Sequence, residues 1–343
     1  MSDFLQVARH RGVYDPEGRH KTLAELASRY FGSAVEANIE SLASFLASKR
    51  EMFPTVEPRE AAYADLVEVI RATLNGIYEN PVDPSTKNLF LKFAQALVHL
   101  RNRVVVITLN YDLLIDQLLR DTNEWFPIDG YGFDLLLAGV PSALNERFLA
   151  EAKAQKAKRP VETLSAMPLL KMHGSVNWGT RNLPYPDGTS PIEVSLLGAL
   201  PSDAPKLGPI GNMSAGELRR PASYYWKTYI IPPLLAKVSV ETSKPLTENI
   251  WYQARGAITF ADSVHLLGYS MPPSDFEMEM LVREGLHCPF PHKANKRLFI
   301  VNCDPTAAQR IKNVLAFNDV TADISQSDII EHLTALLPEL FAS

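Results

Sequence analysis

With 343 residues, 46% of them hydrophobic, the chain exceeds the roughly 250–300 residues at which a single core stops growing, so one large elaborated domain is expected. A charged fraction of 21% and a net charge of −5 exclude a disordered chain and supply no basic field for nucleic acid or an anionic membrane. Two cysteines, Cys288 and Cys303, exclude a disulfide framework and a four-thiolate zinc site, and no run approaches the roughly 20 apolar residues of a membrane span.

The chain begins MSDFLQVARHRG, charged and without the apolar stretch of a signal peptide, so the expected compartment is the cytoplasm. Residues 21–101 read as a helical subdomain. Leu23, Leu26 and Ala27 share one spacing, Ile39, Leu42, Phe45 and Leu46 another, and a long helix is expected from Arg59 to Tyr78. Pro81 and Pro84 punctuate, and a helix bearing Leu89, Phe90, Phe93, Leu97 and Leu100 ends in the basic turn Arg101-Asn102-Arg103, as the helix dipole favours. The period then changes. Val104–Thr108 is a short apolar, β-branched run, the pattern of a strand buried on both faces of a parallel sheet. Leu169–Met172, Val264–Gly268 and Leu298–Val301 share that character. Helices are expected over Leu113–Arg120, over Ser274–Leu286 with Ser274 and Asp275 as caps, over Pro305–Ala316 with Asp304 as N-cap, and over Asp328–Phe341. Between Pro184 and Pro245 lie ten of the chain's 25 prolines, and residues 180–245 are therefore read as a loop-rich insertion. Alternating strand and helix predict an α/β, doubly wound, mostly parallel sheet in a single domain over 1–343, with the helical segment as insertion or cap. In such folds ligands sit beyond the carboxyl ends of the strands.

Four strand-end turns carry the candidate chemistry. Thr108-Leu109-Asn110-Tyr111-Asp112 places a carboxamide and a carboxylate where a ribose or carboxamide ligand could be held, although Asn and Asp are also ordinary turn and cap residues. Lys171-Met172-His173-Gly174 sets a histidine where a general base belongs, although a solitary histidine is more often structural. Gly268-Tyr269-Ser270 and Val301-Asn302 are each common turn chemistry alone.

In sequence order, TLNYD, KMHG, LLGYS and IVN, together with IIPPLLAK at 230–237 and GYSMPPSD at 268–275, resemble the sirtuin-like superfamily over roughly Ile39 to Asn302. The resemblance is nearest to a bacterial branch that hydrolyses NAD. It implies a Rossmann-like domain in which Asn110 orients the nicotinamide ribose and the attacking water, Asp112 holds the nicotinamide carboxamide, and His173 is the base. Thr108, Gly268, Ser270 and Asn302 would line the phosphates and the adenosine ribose. NAD would be the substrate, with no metal required, and the biological setting implied is a bacterial anti-phage defence effector, held silent as a homo-oligomer or by a regulatory partner such as a short Argonaute-like protein or a ring ATPase. The chemistry agrees independently, because breaking an N-glycosidic bond to a cationic nicotinamide needs positioning and a modest base, worth about 10²–10⁴ in rate.

Departures from the family narrow the reading. No cysteine precedes Cys288, so the zinc ribbon of the deacylating sirtuins is missing, and Leu109 stands where those enzymes carry glutamine. Nothing in residues 1–40 resembles the family's opening strand and Gly-Ala-Gly-x-Ser phosphate loop, so either the true start lies upstream of Met1 or the loop has been lost. Gly130-Tyr131-Gly132 follows no apolar strand and is rejected as a substitute. Losing two or three backbone hydrogen bonds to a phosphate, about 1.5–3 kcal/mol each, would take a micromolar site to millimolar or weaker. The rival is therefore a non-catalytic module that binds NAD or ADP-ribose, or serves in assembly. A Ser270 hydrolase fails because Pro272 occupies the second glycine of the nucleophile elbow. His287, Cys288, His292 and Cys303 match no zinc spacing, and Glu277, Glu279 and Glu284 read as a solvated helix face.

Overall fold

The computed structural model describes residues 4–47, 57–75, 83–125, 130–131, 136–137, 167–181, 192–194, 226–230, 244–272, 275–288, 296–316, 320–325 and 329–342. Helices come first: α1 (Phe4–His10), α2 (Lys21–Phe31), α3 (Ile39–Ala47), α4 (Glu57–Asn75) and α5 (Pro84–His99). The apolar spacing explains their packing. Leu23, Leu26 and Ala27 of α2 meet Ile39, Leu42 and Leu46 of α3 and Leu66, Val69 and Ile70 of α4 in one buried cluster. Pro84 does not end a segment but opens α5 behind the N-cap Asp83, whose carboxylate accepts from Thr86 N at 3.0 Å. A proline lacks the N–H that would be unsatisfied there.

Beyond α5 come β1 (Val106–Thr108), α6 (Leu114–Asp121), β2 (Leu136–Leu137), β3 (Leu169–Lys171), β4 (Gly174–Arg181), β5 (Ile192–Val194) and β6 (Trp226–Ile230). The chain closes with α7 (Lys244–Phe260), β7 (Ser263–Leu267), α8 (Phe276–Leu286), β8 (Lys296–Val301), α9 (Pro305–Leu315), β9 (Val320–Ser325) and α10 (Ile329–Ala342). Among the described residues the strands form three ladders: β1 with β3, β2-β5-β4-β6, and β7-β8-β9. The first and third are parallel throughout, and β4 pairs antiparallel with β5 and β6. The architecture is thus α/β with parallel strands leading into helices, as expected, but the described ladders do not join into one doubly wound sheet.

One correction concerns these elements. The run Val104–Thr108 was expected to be buried on both faces. Only Val106–Thr108 is strand, all three residues are half-buried, and Val105 is exposed. The physical reason is pairing: among the described residues β1 has a neighbour on one edge alone. Of the span 180–245, the described residues hold the end of β4, β5, β6 and the start of α7, the rest lying outside the described residues.

A second buried cluster unites the α/β elements. Leu169 and Leu170 of β3, Leu298 and Ile300 of β8, Ile311 and Leu315 of α9, and Ile250, Ala254 and Ile258 of α7 all belong to it. So do Ala94, Leu97 and Val98 of α5, which places this helix with the sheet rather than with α1–α4. The helical core also takes in Leu113, just before α6, Val176 of β4 and Ile230 of β6, and Tyr111 packs against it, while Leu109 and Tyr269 pack against the α/β core. The strand ends that carry the candidate residues therefore lie where the two cores adjoin.

Candidate functional site

The first two motifs are held together by backbone. β1 and β3 run parallel with Thr108 opposite Lys171, so both turns leave the sheet at the same end. Met172 N donates to Thr108 O at 3.0 Å and Val176 N to Tyr111 O at 3.0 Å. Asn110 N donates to Thr108 Oγ1 at 3.1 Å, shaping the turn, while the Asn110 residue stands exposed. Asp112 Oδ1 accepts from Leu114 N at 3.0 Å. The turn-forming explanation therefore accounts for one oxygen of Asp112 but not for the Asn110 side chain. Beneath them Lys171, fully buried, donates to the backbone carbonyl of Asp112 and lies 2.8 Å from Asp116 Oδ2. Tyr131 donates to the other oxygen of Asp116, and burial, followed by that carboxylate, holds its phenol far above the usual range.

The second pair is joined in the same way. β7 and β8 run parallel with Leu267 opposite Val301. Gly268 N donates to Val301 O at 2.8 Å, and its φ of +66° is a conformation that favours glycine. A Cβ there would meet Ile329 Cδ1 at 2.8 Å. Asn302 is buried and fully used by local structure: Nδ2 donates to Tyr269 O at 3.0 Å and Oδ1 accepts from Asp304 N at 2.9 Å. Ser270 is exposed, and its carbonyl accepts from the guanidinium of Arg310. The same guanidinium reaches Met271 O at 3.4 Å, bracing a buried residue whose φ is +48°. A left-handed non-glycine residue costs about 1–2 kcal/mol, so this turn is held against a local preference.

The two halves meet at His173. Its Nε2 lies 3.8 Å from Asp275 Oδ1, with the two side chains 5% and 13% exposed. Asp275 Oδ2 accepts from Tyr269 OH at 3.3 Å. On the other side the Tyr111 ring lies 6.0 Å from the imidazole, centroid to centroid, tilted by 33°. Burial, with the Asp275 charge second, pushes both phenols well above the usual tyrosine range. Both therefore stay protonated and add no charge. The expected cap role of Asp275 is corrected here: although it directly precedes α8, its side chain makes no capping bond. The acidic first turn of the helix, with Glu277 and Glu279, already suits the dipole. Ser274, the other expected cap, lies outside the described residues.

The arrangement is a shielded imidazole–carboxylate pair, with Asn110, Gly268 and Ser270 exposed on the turns that follow β1 and β7. An imidazole so placed can move a proton at a bound hydroxyl or water, and these turns offer a carboxamide and backbone groups for a polar ligand. From sequence Asp275 is read only as a helix cap, and Tyr269 carries no role in the chemistry. Their only signal there was membership of the GYSMPPSD segment, since pairing with a histidine some hundred residues earlier is a tertiary fact. Arg310 and Asp116 gave no signal.

No family model matches the chain, and no curated protein matches it. Among solved structures, the crystal structure of a Sir2 homologue in complex with NAD aligns with 98% of this chain and 86% of its own, at a TM-score of 0.39 and 11% identity.

Proposed function

We propose that this protein hydrolyses NAD to nicotinamide and ADP-ribose. The observation that carries the reading is the meeting of a strand-end histidine with a carboxylate, His173 with Asp275, while the exposed Asn110 follows the strand paired with that histidine's own. Departure of a cationic nicotinamide leaves an oxocarbenium-like ribose, so the protein's task is to orient water and take up one proton. Asn110 orients the ribose and the water, and His173 receives the proton. Asp112, with one oxygen committed to its own turn, offers the other to the nicotinamide carboxamide. Thr108, Gly268, Ser270 and Asn302 stand on the phosphate and adenosine side. Asn302 acts there through the turn it shapes, both ends of its side chain being engaged. In this reading the protein is a cytoplasmic effector of bacterial defence, kept silent in an oligomer or by a partner protein.

A second reading is favoured by one observation: His173 is 4% exposed. A binding or assembly module needs no accessible base. Incubating the purified protein with NAD, alone and with candidate partners, and separating nicotinamide and ADP-ribose by chromatography distinguishes the two. Equimolar release of both products supports hydrolysis, and binding without turnover in every condition supports the module.

A further inference from the structure

We propose that Asp275 is a positioning residue for His173, its carboxylate orienting the imidazole and strengthening it as a base. The proposal rests on the NAD-hydrolysing reading of the same site, in which His173 is the base.

Geometry separates Asp275 from its ordinary alternative. An aspartate immediately before a helix is expected to cap it, with a carboxylate oxygen accepting from an N–H of the first turn. Asp275 makes no such bond. Its two oxygens are instead directed at two side chains from other parts of the fold: Oδ1 at His173 Nε2 and Oδ2 at Tyr269 OH. The backbone supports this orientation. Asp275 N donates to Pro272 O at 2.9 Å, and before Pro272 stands left-handed Met271, whose carbonyl is braced by Arg310 from α9. A backbone held away from its preference beside a candidate site is a pattern that accompanies function.

Electrostatics gives the pair its effect. An opposite charge within about 4–6 Å favours the protonated imidazole, and with both side chains shielded the attraction is weakly screened. Among the described residues, two tyrosines flank the pair, each held as a neutral phenol. Tyr111, from the turn before α6, faces the imidazole, and Tyr269, from the turn after β7, faces the carboxylate. Glu40 of α3 and Tyr63 of α4 act on Tyr111, and Glu279 of α8 on Tyr269, each in the direction that keeps the phenol protonated.

The test reads His173 directly and does not depend on NAD turnover. Histidine-labelled protein is titrated by NMR, with the His173 signal identified by its loss in His173→Gln. In the unaltered protein the neutral ring is expected as the Nε2–H tautomer, the proton facing Asp275; the Nδ1–H tautomer would overturn the proposal without any Asp275 variant. In Asp275→Asn, which keeps shape and removes charge, the titration midpoint is expected to fall by about one unit or more. The acid limb of kcat for nicotinamide release should shift to lower pH with it, and kcat should drop about 10–100-fold, while Asp275→Glu restores part of both. An unchanged midpoint in a folded Asp275→Asn protein, with only thermal stability reduced, contradicts the proposal. If the unaltered protein never turns over NAD, the hydrolase reading fails, yet the tautomer and the midpoint still decide whether Asp275 governs His173.

Discussion

Lys171 has exchanged its hydration for two partners, the carboxylate of Asp116 and the backbone carbonyl of Asp112. A buried ammonium without such partners is costly, and with them it fixes whatever they belong to. Here it fixes the turn that presents Asn110. The residues of that turn therefore divide by role. Asn110→Ala removes an exposed carboxamide with only a backbone bond in the turn. It should leave stability within about 0.5 kcal/mol and lower NAD turnover about 10²-fold or more. Asp112→Ala also removes the acceptor for Leu114 N, so it should lose about 0.5–2 kcal/mol of stability besides activity. Thermal melting and product assays on the two variants check the division, and equal destabilisation by both would return Asn110 to a purely structural role.

The elements were legible in the sequence where one pattern dominates. Continuous β-branched and apolar runs marked β1, β3, β7 and β8, and Asp304 with Pro305 marked the start of α9, where Asp304 Oδ1 does accept from Thr306 N at 2.8 Å. β4 escaped notice because GSVNWGTR has glycines and polar residues on both faces and gains its order from antiparallel neighbours. α7 was obscured by Pro245, which reads as a breaker yet stands in a first helical turn, where proline is tolerated. Gly130 shows a different limit. Its sequence context, Gly-Tyr-Gly, reads as no phosphate loop for want of a preceding apolar strand. The structure gives it a packing role, since a Cβ would lie 2.3 Å from the Trp125 indole, whose Nε1 donates to Met167 O. Gly130→Ala should cost about 1–3 kcal/mol by overpacking. An unchanged melting temperature would mean that the indole moves freely, against the buried contact seen here.

At the scale of the whole molecule, two cores adjoin at the strand ends, and the chemistry of interest lies along that border. Motif order made its membership partly legible: His173 and the Asn110 turn were named from sequence and lie on adjacent turns of paired strands. Asp275 was not, because a carboxylate before a helix looks the same in sequence whether it caps or serves a distant histidine. The molecule's pH response should come from elsewhere. Burial, then His332, then Arg297 lower the pKa of His265 in β7 from 6.5 to about 4, and burial lowers that of His20 as well. Between those values the unfolded chain binds protons that the folded one refuses. The stability given by the neutral His265 ring is complete above about pH 6.5 and is lost as pH falls toward about 4. Melting temperature should decline over that window, less steeply in His265→Phe; parallel declines would contradict the assignment. The central claim concerns His173, and nicotinamide release from saturating NAD, compared between the unaltered protein and a folded His173→Ala variant, tests it most directly. The account predicts a loss of about 10²–10⁴ in kcat with the melting temperature retained, whereas release by the variant at the unaltered rate would contradict it.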